Sequence, residues 1–246
     1  MQSLVNQTVV LIGASSGIGL AVAKLLAHEG AKLTIASRTQ AKLENAAQDI
    51  FNETGRDVTV RTIDTLNEAT VKAFFDDYAK GDIDHIINFA GDSMGGGVLD
   101  ADLSAARNAV ESKFWGQVYV GRHGGAKVKP GGSLTFTGGS GPRPHQAIAT
   151  VVANTGVSLL AESLAKELAP VRVNVVAPYY VDSPMWSGME ETARKALFEG
   201  VAAQLPVGFI AKPEEIAPSY LYVLQTQYLN GTTLPVNGGA LLQTIA

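Results

Sequence analysis

Cysteine is absent from this 246-residue chain. Its absence excludes disulfides, thiolate metal sites and cysteine nucleophiles, and it is compatible with a reducing cytoplasm, where the protein is expected. Histidine is scarce: four residues with no paired helical spacing, so no metal site is expected. Charged residues make up only 17%, with a net charge of −4 and scattered signs, which argues against a nucleic-acid face. No apolar run reaches the ~18 residues needed to cross a bilayer. The N-terminus runs from Met1-Gln-Ser-Leu almost directly into a strand, without a cationic-then-apolar leader. Neither nucleic acid nor membrane is expected as a partner. No linker, repeat or low-complexity tract divides the chain. What is abundant is apolar residue, 46%, in a length that fits one α/β domain over residues 1–246 with a large core.

Short β-rich runs alternate with helical patterns throughout. The expected strands are Thr8–Ile12, Lys32–Ala36, Val58–Ile63, His85–Phe89, Ser133–Thr137, Arg172–Val176 and Thr232–Val236. Between them, Val71, Phe74, Phe75 and Tyr78 sit at i, i+3, i+4 and i+7 and form one apolar helix face. Val157, Leu160, Leu164 and Leu168 repeat the pattern, and Pro213-Glu-Glu reads as the first turn of a helix carrying Ile216, Tyr220 and Leu224. Regular βα alternation predicts a parallel sheet with helices on both faces. Ligands of such sheets bind beyond the C-terminal strand ends. Two segments, Gly91–Gly97 and Pro178–Pro206, are the expected functional loops.

The most informative motif follows the first strand. Gly13-Ala14-Ser15-Ser16-Gly17-Ile18-Gly19 opens a helix-patterned stretch. Glycines let the backbone approach a diphosphate closely, and the helix N-terminus offers unpaired N–H groups and a favourable dipole. The spacing is G-x-x-x-G-x-G, and glycine-rich turns also close ordinary βα units, so other signals must support it.

They do, in order. Asp64-Thr65 ends the third strand, Asn88-Phe89-Ala90-Gly91 ends the fourth, and Leu164-Ala-Lys-Glu-Leu168 precedes Val171-Arg-Val-Asn-Val-Val-Ala-Pro178. Val181 and Ser183 follow, and Val236-Asn-Gly-Gly239 lies near the C-terminus. Over essentially the whole chain this series resembles the short-chain dehydrogenase/reductase family. The resemblance implies a Rossmann-like doubly wound parallel sheet of about seven strands flanked by helices. It also implies a nicotinamide dinucleotide held by the glycine turn, by Ser37, Arg38, Asp64, Thr65, Asn88, Ala90 and Gly91, and by Pro178, Val181 and Ser183 at the nicotinamide end. A homodimer or homotetramer is implied as well, with Trp115 on the long helix as interface material.

Ser37-Arg38 ends the second strand, where NAD-preferring members carry an acid. A guanidinium there can hold the 2′-phosphate of NADP(H) through charge-assisted bonds of about 1.5–3 kcal/mol each. One such bond gives roughly a tenfold to hundredfold preference over NAD(H). A solvated arginine at a helix start is the plain alternative.

The catalytic positions break the resemblance. The family's Tyr and Lys, four residues apart on one helix, fall here on Thr150 and Asn154. Neither can lower or supply a proton as that pair does. The family's active-site Asn falls on Lys113. The serine position is ambiguous within Thr137-Gly138-Gly139-Ser140, with Ser140 one candidate. Replacement chemistry is sought at Lys113, Ser140, His145 and Tyr179. Lys113 could polarise a carbonyl or donate a proton, or it could hold the cofactor ribose. A lysine cation beside an iminium carbon would repel it by ~4 kcal/mol at 4 Å and an effective dielectric of 20. Histidine is a side chain suited to proton transfer, but His145 sits in a loop, Gly141-Pro-Arg-Pro-His145.

An apolar lid is expected around residues 179–210, with Pro184, Met185, Trp186, Met189, Phe198 and Phe209. It suits a bulky, apolar small-molecule substrate. Three readings remain open. One is an NADP(H)-dependent reductase acting on an imine, iminium or activated carbonyl of a natural-product-like substrate, which needs no strong proton donor. Another is a non-redox cyclase or isomerase that keeps the nucleotide as a wall of its pocket. The third is a silent NADP-binding subunit.

Overall fold

The computed structural model describes residues 2–93, 95–141 and 143–242. Met94 and Pro142, each within a loop singled out above, lie outside the described residues. The chain opens with strand β1 (Thr8–Ile12), helix α1 (Gly17–His28), β2 (Lys32–Ser37), α2 (Gln40–Thr54), β3 (Thr59–Thr62), α3 (Glu68–Asp76) and β4 (Ile83–Asn88). It continues with α4 (Leu103–Val110), a π-helical turn (Glu111–Trp115), α5 (Gly116–Gly124), β5 (Val128–Thr137), α6 (Ile148–Glu167) and β6 (Arg172–Pro178). Helices α7 (Glu191–Ala202) and α8 (Pro213–Gln225) precede β7 (Thr233–Val236).

All seven strands are parallel in one sheet, in the order β3-β2-β1-β4-β5-β6-β7. Strand β1 is a run of Val, Leu and Ile because helices cover both faces, while β4, β5 and β6 mix apolar residues with buried polar ones such as His85, Thr135 and Asn174. One layer buries Leu11, Leu26, Ile35, Leu43 and Tyr220, and the other Ile12, Phe75, Ile86, Phe136 and Val157. The strand order reverses between β1 and β4, which sets a crevice at their C-terminal ends.

Two expectations shift. Strand β5 begins at Val128, well before Ser133. Ile83 pairs with Val128 and His85 with Ser133, so three extra residues bulge out around Gly131 and Gly132. And α6, twenty residues long, is apolar enough by length and composition to cross a membrane, against the expectation that no such run exists. It packs against β6 with Ala153, Val157, Ala161 and Leu164 buried, as a core helix does.

At the sheet end opposite the crevice, His85 is 1% exposed. Its Nε2 lies 2.7 Å from Gln7 Oε1 and its Nδ1 2.8 Å from Ser133 Oγ. The Gln7 amide nitrogen donates to Ser3 O, so Oε1 faces the ring and the neutral Nε2–H tautomer satisfies both contacts. Burial holds the imidazole pKa down to about 4, aided by Arg172 and Lys129 and opposed by Asp84.

Candidate functional site

A cleft of about 950 Å³ opens over the C-terminal strand ends. Its floor is the glycine turn. A Cβ on Gly13 would lie 2.9 Å from Ala90 N, and one on Gly19 would collide with Gly13 O. The turn therefore closes tightly against the β4 loop only with glycine at both positions. Ser16, the N-cap of α1, makes no side-chain capping bond, and Ser15, Ser16, Gly17, Ile18 and Gly19 all line the cleft. This cradle at a helix start suits a diphosphate.

Ser37, Arg38, Asp64 and Thr65 line one end of the cleft. The Ser37 hydroxyl is buried without a hydrogen-bond partner. A buried orphan at the β2 terminus is what a ribose or its phosphate would satisfy. Arg38 is joined by Lys42, one helical turn along the start of α2. Sequence reasoning missed Lys42, although its i+4 spacing from Arg38 was available. Asp64 Oδ1 accepts from Leu66 N at 3.1 Å and orders the loop after β3. Together these residues fit an adenine dinucleotide with extra negative charge on its ribose.

Asn88 acts from behind. It is fully buried, its Oδ1 accepts from Ala90 N at 3.0 Å, and its Nδ2 donates to Gln117 Oε1 at 2.8 Å. Gln117 in turn donates to Ala90 O. The carboxamide shapes the Ala90–Gly91 loop, which does line the cleft. That places Asn88 as a positioning residue, where the sequence reading had it touching the dinucleotide.

At the other end lie Pro178, Tyr179, Val181 and Ser183. The carbonyl of Val181 accepts from Trp186 Nε1 at 3.0 Å. Tyr179 and Tyr180 meet edge-on at 4.7 Å, Tyr180 stacks on Trp186 at 5.1 Å and 12°, and Trp186 meets Phe198 of α7. This aromatic ladder ties the lid to the sheet. Burial raises the pKa of both tyrosines, so they remain neutral phenols near pH 7. Met185 and Phe209 stay exposed, and α7 has no buried residue.

Thr137 and Ser140 both line the cleft. Thr137 Oγ1 pairs with Tyr220 OH at 2.8 Å, and Ser140 Oγ accepts from Asn237 Nδ2 at 2.9 Å. Thr150 and Asn154 sit on the cleft face of α6, and Asn154 Oδ1 has no partner. His145 is exposed and lies outside the cleft lining. The structure thus brings Lys113, Ser140 and Tyr179 together and leaves His145 aside.

Lys113 is 5% exposed. It is carried by the π-helical turn Glu111–Trp115 between α4 and α5; such turns recur at functional sites. Its stem runs over Gly91 so closely that a Cβ there would lie 2.5 Å from Lys113 Cδ, and Gly91 holds φ at +143°. Among the described residues the amine has no hydrogen bond or ion pair, and its one electrostatic partner is Asp92. Burial lowers its pKa to about 8, with Asp92 opposing.

Residues 13–240 match the family described as enoyl-(acyl carrier protein) reductase. The chain is 30% identical over 259 residues to a short-chain dehydrogenase/reductase, ATR9, of Stachybotrys chlorohalonatus, spanning 99% of this chain and 100% of that one. It belongs to the short-chain dehydrogenase/reductase family. Among solved structures, MalC reductase/Diels-Alderase from Malbranchea aurantiaca matches with a TM-score of 0.86 and 28% identity over 98% of each chain. An NADPH-bound short-chain oxidoreductase from Pseudomonas aeruginosa PAO1, described as containing an atypical catalytic center, matches with a TM-score of 0.86 and 26% identity over 98% of this chain and 100% of that one.

Proposed function

We propose that the protein is an NADP(H)-dependent reductase whose acceptor is an imine, iminium or activated carbonyl of a bulky, apolar small molecule. The observation that carries this reading is the contrast within one cleft. The glycine turn, Arg38 and Lys42 line it together with Thr150 and Asn154, and by the family resemblance those last two are read as standing where the phenol and the amine would be. When bound, NADPH supplies hydride. The residues of this chain hold the dinucleotide, exclude water beneath the aromatic ladder and leave no strong acid at α6. An iminium needs none, because hydride neutralises it; an activated carbonyl gives a stabilised alkoxide that takes its proton from water.

The NADPH-bound relative with an atypical catalytic center and the reductase/Diels-Alderase support a reductase of this fold with an atypical site. The second of these also supports a subsidiary reading, cyclisation in the apolar end of the cleft beside the nucleotide. Exposed Trp115 on the π-helical turn and exposed Val152 and Leu159 on α6 support a homodimer or homotetramer.

Fluorescence titration with NADPH and NADH tests the cofactor, and NADPH absorbance under a panel of cyclic imines and activated ketones tests the reaction. Tighter binding of NADPH together with turnover of any panel member supports the proposal. Equal affinity for both nucleotides overturns the cofactor assignment. Product formation that requires nucleotide without oxidising it favours the cyclase reading instead.

A further inference from the structure

We infer that Lys113 is a covalent catalyst: its amine condenses with the carbonyl of an α,β-unsaturated aldehyde or ketone, making the enzyme an ene-reductase that builds its own iminium acceptor. The inference rests on the NADP(H) reading for the source of hydride, but the covalent step stands on this chain alone.

The geometry supports it in four respects. Lys113 is the lysine of the acceptor end of the cleft, since Lys42 lies at the ribose end. Its amine is not consumed by any hydrogen bond or ion pair among the described residues. Its stem is clamped between the π-helical turn and Gly91, which fixes where the nitrogen is presented. The ionisable neighbours at this end are Asp92 from the loop after β4 and the neutral phenols Tyr179 and Tyr180 after β6. Desolvation then makes the amine nucleophilic. With a pKa of about 8, about a quarter of the molecules carry a free amine at pH 7.5, against about one in a thousand for an ordinary lysine.

The steps balance. The neutral amine adds to the carbonyl carbon, and loss of water with one proton taken up from solvent leaves a conjugated iminium. The β-carbon accepts the hydride that bound NADPH supplies, and the C=C electrons move to nitrogen to give an enamine. The α-carbon takes a proton from water, and hydrolysis returns the saturated carbonyl and the free lysine. Net, one C=C bond is reduced by one NADPH and one proton. Conjugation is required by the same chemistry. Hydride delivered to the iminium carbon of a saturated ketone would leave the substrate bound to Lys113 as a secondary amine, ending turnover. The repulsion that a lysine cation exerts on a substrate iminium disappears as well, because the nitrogen of the lysine becomes the nitrogen of the iminium.

Cinnamaldehyde is a suitable probe, with an aromatic ring for the ladder and a conjugated aldehyde. The full-length protein, without nucleotide, is treated with stoichiometric cinnamaldehyde and sodium cyanoborohydride at pH 7.5, and the product is read by intact mass and peptide mapping. The expected result is a single cinnamyl group on Lys113, formed about a hundredfold faster than on the average exposed lysine. With NADPH and no borohydride, the wild type should convert cinnamaldehyde to 3-phenylpropanal. Lys113→Arg and Lys113→Met, checked for native circular dichroism, should lose that conversion while binding NADPH within a few-fold. Label spread over surface lysines with Lys113 unmodified overturns the inference, as does undiminished conversion by both variants. Failure of the wild type to bind NADPH would strike the cofactor reading and leave the labelling result to decide on Lys113.

Discussion

Acid should destabilise this protein through one residue far from the cleft. His85 is buried as the neutral imidazole, with a pKa of about 4, while in the unfolded chain it returns to about 6.5. The folded-state value is depressed, so below pH 6.5 the unfolded chain binds the proton first. Stability is complete above about pH 6.5 and is lost progressively as pH falls toward 4. At pH 5 the two values give a loss of about 2 kcal/mol, and the full shift corresponds to about 3.4 kcal/mol. For a chain of this size, 2 kcal/mol lowers Tm by about 4–8 °C. Urea unfolding followed by circular dichroism at pH 7.5 and 5.0, in wild type and His85→Gln, isolates the effect. Groups remote from His85 are common to both proteins and cancel in the comparison. His85→Gln should be less stable than wild type at pH 7.5, having lost the paired contacts to Gln7 and Ser133. Its further loss on going to pH 5.0 should be smaller by about 2 kcal/mol. Equal losses in the two proteins would refute the reasoning.

Other perturbations bear on the cleft. Arg38→Ala should weaken NADPH about tenfold to a hundredfold and leave NADH unchanged, measured by fluorescence titration; Arg38→Ala with Lys42→Ala should erase the preference. Gly91→Ala places a methyl group 2.5 Å from Lys113 Cδ at a φ of +143°. It should cost about 1–3 kcal/mol in urea unfolding and abolish selective labelling of Lys113. Thr150→Ala and Asn154→Ala should lower kcat by less than about 10²-fold, the smaller end of what a true acid–base group contributes, in the steady-state NADPH assay. Trp186→Ala removes the centre of the aromatic ladder and should raise KM for an apolar acceptor about tenfold or more at nearly constant NADPH affinity.

Much of the fold is legible because strands buried on both faces read as apolar runs, unbroken in Val9–Ile12 and interrupted only by Asn174 in Val173–Val176. The dinucleotide cradle is equally legible, since it is written in glycines and a helix start. The early start of β5 is not, because Pro130-Gly131-Gly132 reads as a turn and only the pairing with β4 reveals a bulge. The pairing of Thr137 with Tyr220, 83 positions along the chain, which sets it apart from Ser140, is likewise not legible. Lys42 resembles any exposed helix cation until Arg38 and the Ser37 hydroxyl are placed beside it. The burial of Lys113 depends on a helical turn of unusual pitch and on a glycine twenty-two residues earlier, and neither leaves a local signature. His145 misled for the opposite reason: its nearness in sequence to α6 does not bring its ring to the cleft.

The π-helical turn also sets the phase of the rod in which it lies. Helix α4 packs on α6, and α5 packs on α3, so two ends of one continuous helix serve different partners. A π turn holds one residue more than an α turn, and one residue is about 100° of helical rotation. Excising a single residue between Glu111 and Trp115 would restore ordinary pitch and turn α4 by that angle relative to α5. Its packing face would then point away from α6, or α5 would lose α3. The extra residue that presents Lys113 is thus the same one that keeps the two halves in step.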